Sequence, residues 1–514
     1  MGNGFMPVNS GAPHLPLPGP STLAPLSLKT PADELRSLLP PVKQVTKYCE
    51  IYHTYCHGLF PVDIGIPHIP DLSFQYMNEG LGDRLIAHLE TRNIEAFRFE
   101  AIRVALLCSA ITAGVQVSDL DEASRRSTLR QYAATTMKLL RMADVQASAS
   151  IAGYPVLLIM SRVMQDELEP ILSYTMLGSL QKMAQVYSIA LSLTDRYAEE
   201  TRHMRSSEGL LRVRLRQETF LALVLGQSHL LERPPFPDIR SWTNASYTQC
   251  IDVLAAVVAY CGSENIDREE SLVQHADAMQ MMRSLDRWAM PHLVSKTNCH
   301  SAHELSEFCA LRIHDCLVNI HYCQIIMAAC RRLPGHEEEY FKTGEVCRTK
   351  AQDCIDAYLH MLGFTVIPLR SWILTIAALR AALILGVLLA EFSHSVENSI
   401  PDRDRLTRLH NAFTNVHDDS HADRSRWVGR YTAIFDRLRE ICDAAGQPDT
   451  GSLATNGTTA SPTEQGTALR YMTRDDRDNI MMPQRMVQHY LAAPAIEPPN
   501  TGSPLFSYQS IFEI

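Results

Sequence analysis

The stretch CALRIHDCLVNIHYCQIIMAAC places Cys309, Cys316, Cys323 and Cys330 at every seventh residue, with His314 and His321 between them, also seven apart. Thiols and imidazoles are zinc donors, and thiols are the groups of redox switches, so the run invites both chemistries. Spacing argues against a single metal. On a helix, residues seven apart share a face but sit about 10.5 Å apart along the axis, whereas zinc donors must each lie within about 2.3 Å of one ion. His314 and His321 have no Cys, His or Asp three or four residues away. A seven-residue period drifts only about 20° per repeat on an ideal helix. The cysteines therefore read as one buried seam, in which a thiol behaves as a small hydrophobe.

Two further clusters carry metal-type donors. In CEIYHTYCH, Cys49 and His53 are four apart, His53 and Cys56 three apart, and His53 and His57 four apart. A regular helix presents two or three of them to one ion; the competing reading is an amphipathic helix with half-buried thiols and imidazoles. The segment HDDSH, 417–421, is a distorted relative of the metalloprotease His-Glu-x-x-His motif, with Glu440 in range as a third ligand. Asp418 replaces the glutamate, and its shorter side chain reaches a metal-bound water poorly. The flanks, NVHDDSHADRS, read as a polar loop rather than a helix middle. VLGQSHL lacks the second glycine of a nucleophile elbow. No phosphate-cradling glycine loop and no strand–glycine–helix unit occurs. The expectation is therefore no catalytic residue, no metal ligand and no cofactor: not an enzyme.

These residues must sit on helices. Segments such as LRQYAATTMKLLRM and LVQHADAMQMMRSLDRW repeat apolar residues at i, i+3, i+4 and i+7, and alternating strand patterns with tight turns are missing. Helices are expected near 75–92, 95–116, 119–145, 153–165, 169–196, 208–231, 244–261, 268–293, 302–331, 336–361, 369–393, 403–415 and 424–445. Another follows Pro40-Pro41 and ends near Gly58. The run SWILTIAALRAALILGVLLAEF, 371–392, imitates a membrane span. Arg380 near its middle would cost roughly 2.5–3.5 kcal/mol there, so it reads as a buried core helix and no membrane partner is expected. The length of 514 residues allows about three domains at roughly 150 residues each. The helical patterns instead run on as one large irregular multi-helix, all-α domain, 32–446. A Pro- and Gly-rich disordered lead, 1–31, precedes it. A low-complexity linker, 447–470, and a disordered tail, 471–514, follow it. In that tail Phe506, Tyr508, Ile511 and Phe512 beside Glu513 suit an activation segment.

Charge and thiols narrow the partners. A formal net charge of −10 argues against a broad nucleic-acid grip. Thirteen cysteines, an odd number, with neither a basic n-region nor an apolar h-region at the start, indicate free thiols in a reducing compartment. The chain opens Met-Gly, but Met6 stands where a myristoylation signal needs Ser or Thr.

Several stretches carry a resemblance. In RVRLRQETFLALVLGQSHLLERPPFPDI, 212–239, a long amphipathic helix is stopped sharply by Pro234 and Pro235. It resembles the middle homology region of fungal zinc-cluster transcription factors, where such a helix leads into a Gly-Arg-Pro-Pro turn. Arg233, Pro234 and Pro235 match, and Glu232 departs from the glycine. SYTMLGSLQKMAQVYSIAL, 173–191, is similar to the family's preceding helix, with Gly178 as a close-packing glycine and the pair Met183-Ala184; Ser188 to Leu191 departs from its usual ending. PLRSWILTIAALRAALILGVLLAE, 368–391, is similar to a late helix, with Arg370, Ser371 and Trp372 ahead of a small-residue, Leu-rich run that holds Gly386 and Glu391. YCEIYHTYCHGLFPV fits the helix and Phe-Pro turn that open the family's domain. The resemblance spans about 41–446. It departs from the family in one large respect: no two cysteines are three apart, so the six-cysteine zinc cluster is not in this sequence.

The resemblance implies a fungal transcriptional regulator in the nucleus, controlling a metabolic or secondary-metabolite gene cluster without a zinc-cluster DNA-binding module of its own. It implies a protein partner or a homodimer, and a small-molecule effector. DNA would be reached only indirectly or through a missing N-terminal module. Two other readings compete: a metal-dependent or other helical enzyme, built on 49–57 or 417–421, and a helical scaffold protein.

Overall fold

The computed structural model describes residues 30–56, 69–145, 151–167, 170–192, 197–225, 246–260, 273, 275–280, 282–283, 302–333, 335–391 and 396–414. Every element among them is helical, and the all-α expectation holds.

Helix α1 (Pro31–Leu38) begins on a capping box. Thr30 Oγ1 accepts from the Asp33 amide at 3.2 Å, and the Asp33 carboxylate accepts from the Thr30 amide at 3.4 Å. The folded body thus takes in Thr30 and Pro31, which the sequence had placed in the lead. Helix α2 (Val42–Ile51) starts after Pro41 and runs into a π-helical turn, Tyr52–Cys56. The single helix expected over 75–92 is two, α3 (Ile69–Asn78) and α4 (Leu81–Glu90). The chain breaks at Gly80, whose φ of +63° belongs to the left-handed region that a residue without Cβ enters freely.

Helix α5 (Ile94–Gln116) is the post of the first half; Asn93 caps it, and it is buried continuously from Val104 to Gln116. Helices α2, α3, α4, α6 (Glu122–Met142) and α7 (Tyr154–Asp166) pack around it. Gly114 permits the closest of these approaches, since a Cβ there would lie 2.1 Å from the Tyr48 carbonyl oxygen of α2. Helix α8 (Pro170–Ser192) lies on α7, and α9 (Tyr197–Leu225) touches both. Helix α10 (Tyr247–Tyr260) follows and packs on α9.

The second half is built on a hairpin of α11 (Ala302–Arg332) and α12 (Glu337–Leu362). The ion pairs Lys350–Asp315 at 2.9 Å and Arg312–Asp353 at 3.1 Å match later residues of one helix to earlier residues of the other, an antiparallel register. A single turn, α13 (Ile367–Arg370), leads into α14 (Trp372–Glu391), which lies against α11 and α12. Helix α15 (Val396–Thr414) closes over α12 and α14. Contacts of α9 and α7 with α14, and of α10 with α11, join the halves into one hydrophobic core.

The cysteine seam runs along the hairpin. Cys309, Cys316, Cys323 and Cys330 are all buried, as are Cys347 and Cys354 on α12, themselves seven apart. Cys323 and Cys347 share a hydrogen bond, and Cys316 lies near Cys354, one heptad back on one helix and one forward on the other. His314 and His321 are buried beside them, and His314 Nδ1 lies 2.7 Å from the Ala310 carbonyl oxygen, to which it donates.

Ile94–Gln116 and Trp372–Leu389 are long and apolar enough to cross a membrane, yet 89% and 83% of these windows are buried inside the fold. Arg380 of α14 is 5% exposed. Its guanidinium donates to Gln324 Oε1 at 2.7 and 3.2 Å and to His321 Nδ1 at 3.1 Å, both on α11. Burial without a carboxylate partner brings its pKa down to about 10.

Candidate functional site

The sequence PLRSW builds a joint. Helix α13 stops at Arg370, Ser371 is extended, and α14 starts at Trp372. The first amide of α14, at Trp372, donates to Asp166 Oδ1 at 2.9 Å. A carboxylate there satisfies a donor that no helical carbonyl can reach and faces the positive end of the helix dipole. One turn earlier on α7, Arg162 gives its Nε to Asp166 Oδ2 at 2.8 Å and its Nη2 to Ser371 Oγ at 2.7 Å. Arg370 works the other way round. Its Nη1 donates to the carbonyls of Ser118 and, at 3.3 Å, Gln116, capping the C-terminal end of α5 with positive charge. Gln116 itself donates to the Val163 carbonyl at 3.2 Å and to Glu167 Oε1 at 3.3 Å, and Arg125 of α6 pairs with Glu167 at 2.8 Å. Three consecutive residues thus bind α14 to α5 and α7.

Behind this joint lies a cavity of about 40 Å³, room for about three waters. Tyr52 and Cys56 of the π-helical turn border it on one side, and Gln116, Arg162, Asp166 and Gln217 on others. Ile159, Val163 and Ile367 form an apolar wall. The π turn places Cys56 here, where its Sγ donates to the Ala113 carbonyl at 3.5 Å. Cys56 keeps some accessible surface because it borders the cavity, yet neighbours enclose it. Burial first, and the Asp166 charge second, push its thiol up to about 12, so it is a thiol at neutral pH and a poor nucleophile. Burial likewise holds the Asp166 carboxyl above its ordinary value, while Arg162 draws it back down.

Gln217, 6% exposed, reaches the cavity from α9. Its Oε1 accepts from Ser161 Oγ at 2.9 Å, and its Nε2 has no hydrogen-bond partner among the described residues. The polar interior continues along α9: Arg214 Nη1 lies 3.7 Å from Glu218 Oε2, too far for a hydrogen bond, and the Tyr154 hydroxyl is buried close by.

Of the residues singled out by sequence, Arg370, Ser371 and Trp372 meet here, joined by Cys56 from the opening cluster and Gln217 from the 212–239 stretch. Gly178 needs correction. A Cβ built on it meets nothing within 4 Å among the described residues, so none of the described helices packs closely against it. Arg233, Pro234 and Pro235 lie outside the described residues, as do His57, the 417–421 segment, Glu440, and the lead, linker and tail segments 1–29 and 447–514. Cys49 and His53 do not converge. Cys49 is buried near Ser73 and Cys108, while the π turn inserts a residue and leaves His53 exposed. Among the described residues, no group of three or more His, Cys, Asp or Glu is placed to hold a metal ion.

Sequence reasoning missed Arg162, Asp166 and Gln217. A signal existed: YPVLLIMSRVMQD is apolar on most of its face, and its two charges are four apart, the spacing of a pair on a buried helix. Nothing in the sequence pointed to their partners, which come from far along the chain. Compared with known proteins, the chain matches no family model and no curated sequence.

Proposed function

We propose that this chain is the regulatory body of a fungal transcription regulator, acting in the nucleus through a protein partner or a second copy of itself rather than by gripping DNA alone. One observation supports the reading above others. Three stretches that carry the resemblance, at Tyr52–Cys56, Gln217 and Arg370–Ser371, lie far apart in sequence and border one cavity. A domain that couples occupancy of an interior site to its helix arrangement would keep such residues together. The net charge of −10 agrees with an indirect route to DNA.

The test is a tethering experiment. The full chain, fused to an unrelated DNA-binding domain, is expressed in a fungal host carrying the cognate reporter. Reporter output is expected to change several-fold on tethering, with the untethered chain enriched in nuclei. An abundant, folded fusion that leaves the reporter unchanged, with the untethered chain excluded from nuclei, overturns the proposal in favour of a scaffold role.

A further inference from the structure

We propose that Cys323 of α11 and Cys347 of α12 hold one monovalent soft metal ion, copper(I), between their sulfurs, with the Arg380 guanidinium of α14 as the counter-charge. Helix geometry bars one ion from two cysteines seven apart on the same helix. It does not bar two cysteines brought together from different helices. Cys323 and Cys347 are fully buried and share a hydrogen bond. Bonds of the zinc–thiolate length, about 2.3 Å, place two sulfurs about 4.6 Å apart across a linear ion, slightly wider than a thiol–thiol hydrogen bond. The bare ion needs no cavity beyond the space between the sulfurs. Thiolates are donors that select soft cuprous ions. Structural zinc takes four donors, and no third His, Cys, Asp or Glu joins this pair among the described residues.

Charge selects the ion and singles out the pair. Arg380 is 5% exposed, and its bonds go to Gln324 and His321, neither of them an anion. The ionisable group that acts on it is Cys347. A buried charge is normally paired, and the neutral Cys347 thiol does not supply the partner. Copper(I) binding completes it. Each thiol loses its proton to solvent, no electron moves, and one positive ion on two thiolates leaves a single net negative charge facing the guanidinium. A divalent ion on the same two sulfurs would be neutral, as would a disulfide, and either would leave the guanidinium as it stands. The neighbouring pair, Cys316 with Cys354, provides the contrast. It is equally buried, but Lys350 beside it is already matched by Asp315 at 2.9 Å, and Arg312 by Asp353 at 3.1 Å. Neither cation is in excess there for a bis-thiolate to neutralise.

This inference goes beyond the proposed function and does not rest on it, since binding is read on purified protein whatever the tethering experiment returns. The full chain, reduced and kept anaerobic, is titrated with copper(I) against the chelator bathocuproine disulfonate. Silver(I) serves as a second probe of the same charge and softness. One equivalent of copper(I) withdrawn from the chelator is expected, with two sulfur neighbours in X-ray absorption and a rise in Tm. Cys323→Ala and Cys347→Ala are each expected to abolish the retention, whereas Cys316→Ala and Cys354→Ala leave it intact. Arg380→Met keeps an unbranched stem, removes the charge and is expected to weaken binding about 10–100-fold. Exchange of a buried charge for a hydrophobic side chain is often neutral or stabilising, so this variant decides the matter if a cysteine variant fails to fold. Absence of copper(I) held against the chelator overturns the proposal. So does copper(I) retained by folded Cys347→Ala, copper(I) lost with Cys316→Ala, or an Arg380→Met chain that binds as tightly as wild type.

Discussion

Asp166 makes two demands on the chain at once: it neutralises a buried guanidinium and receives the first amide of a twenty-residue helix. The side chains of Arg162 and Asp166 are each 9% exposed, so bulk water screens their charges little. Asp166→Asn keeps an acceptor for Trp372 but removes the negative charge that the buried Arg162 guanidinium faces at 2.8 Å. The expected loss is about 3–5 kcal/mol of unfolding free energy, read from urea denaturation at neutral pH. Ser371→Ala removes only a neutral acceptor from the same guanidinium and should cost about 1–3 kcal/mol. The cysteines make a second residue-scale prediction. Burial raises the thiols of Cys316 and Cys354 well above their ordinary value, and a hydrogen bond with Cys323, then burial, does the same for Cys347. Native protein at pH 8 should leave all four unmodified by iodoacetamide while urea-unfolded protein is fully labelled, as peptide mass spectrometry would read. Labelling of one of them in the native fold would point to a reactive thiol instead. The packing role of the cysteine heptads was legible because helix geometry alone separates the donors too far for one metal. The pairing of Arg162 with Ser371 was not, since two polar residues 209 apart in sequence carry no mutual signal.

At the scale of elements, the apolar period found most helices, and its failures mark the places where local chemistry overrides periodicity. The pattern over 75–92 reads through Gly80, where the backbone breaks into two helices. The same holds at Ser371, where α13 and α14 read as one helix until Asp166 and Arg162 hold the extended residue between them. Glycine roles were the least legible feature. Gly178 sits in a stretch that resembles a close-packed helix and, among the described residues, packs against nothing closely, whereas Gly114, unremarked in sequence, lets α2 approach α5. Only a partner backbone distinguishes the two, and a single sequence does not contain it. Gly114→Ala would drive a methyl group to 2.1 Å from a backbone carbonyl oxygen that has no rotamer to escape into. It should destabilise the fold by at least about 1–3 kcal/mol. Gly178→Ala, measured in the same melt, should be neutral or slightly stabilising, since an exchange of Gly for Ala inside a helix gains up to about 1 kcal/mol.

The whole molecule places imidazoles where protons are unwelcome, and this makes its stability depend on pH. His314 lies at the junction of α9 and α11, its ring edge-on to Phe220 at 4.6 Å, with its Nδ1 proton given to Ala310. His275 is buried against the Tyr322 ring at 5.1 Å. Burial pushes both from 6.5 down to about 4. A folded-state value below the unfolded one means that the unfolded chain takes up the proton first. The stability that each neutral histidine contributes is therefore complete above about pH 6.5 and is lost as pH falls toward about 4, at about 1.4 kcal/mol per pH unit. Asp166 and Asp252 act in the opposite sense, because burial raises their carboxyls and the folded state accepts those protons more readily. The total slope mixes both contributions, so the informative quantity is a difference. Unfolding free energies of wild type and His314→Leu, measured in urea between pH 7 and pH 4, should run parallel above pH 6.5. Below it they should converge by about 1.4 kcal/mol per unit, because the leucine variant has no proton to take up at that position. Curves that stay parallel across the whole range would mean that His314 titrates in the folded state as freely as in the unfolded one. The ring would then reach water through an opening of the interface between the two halves of the molecule.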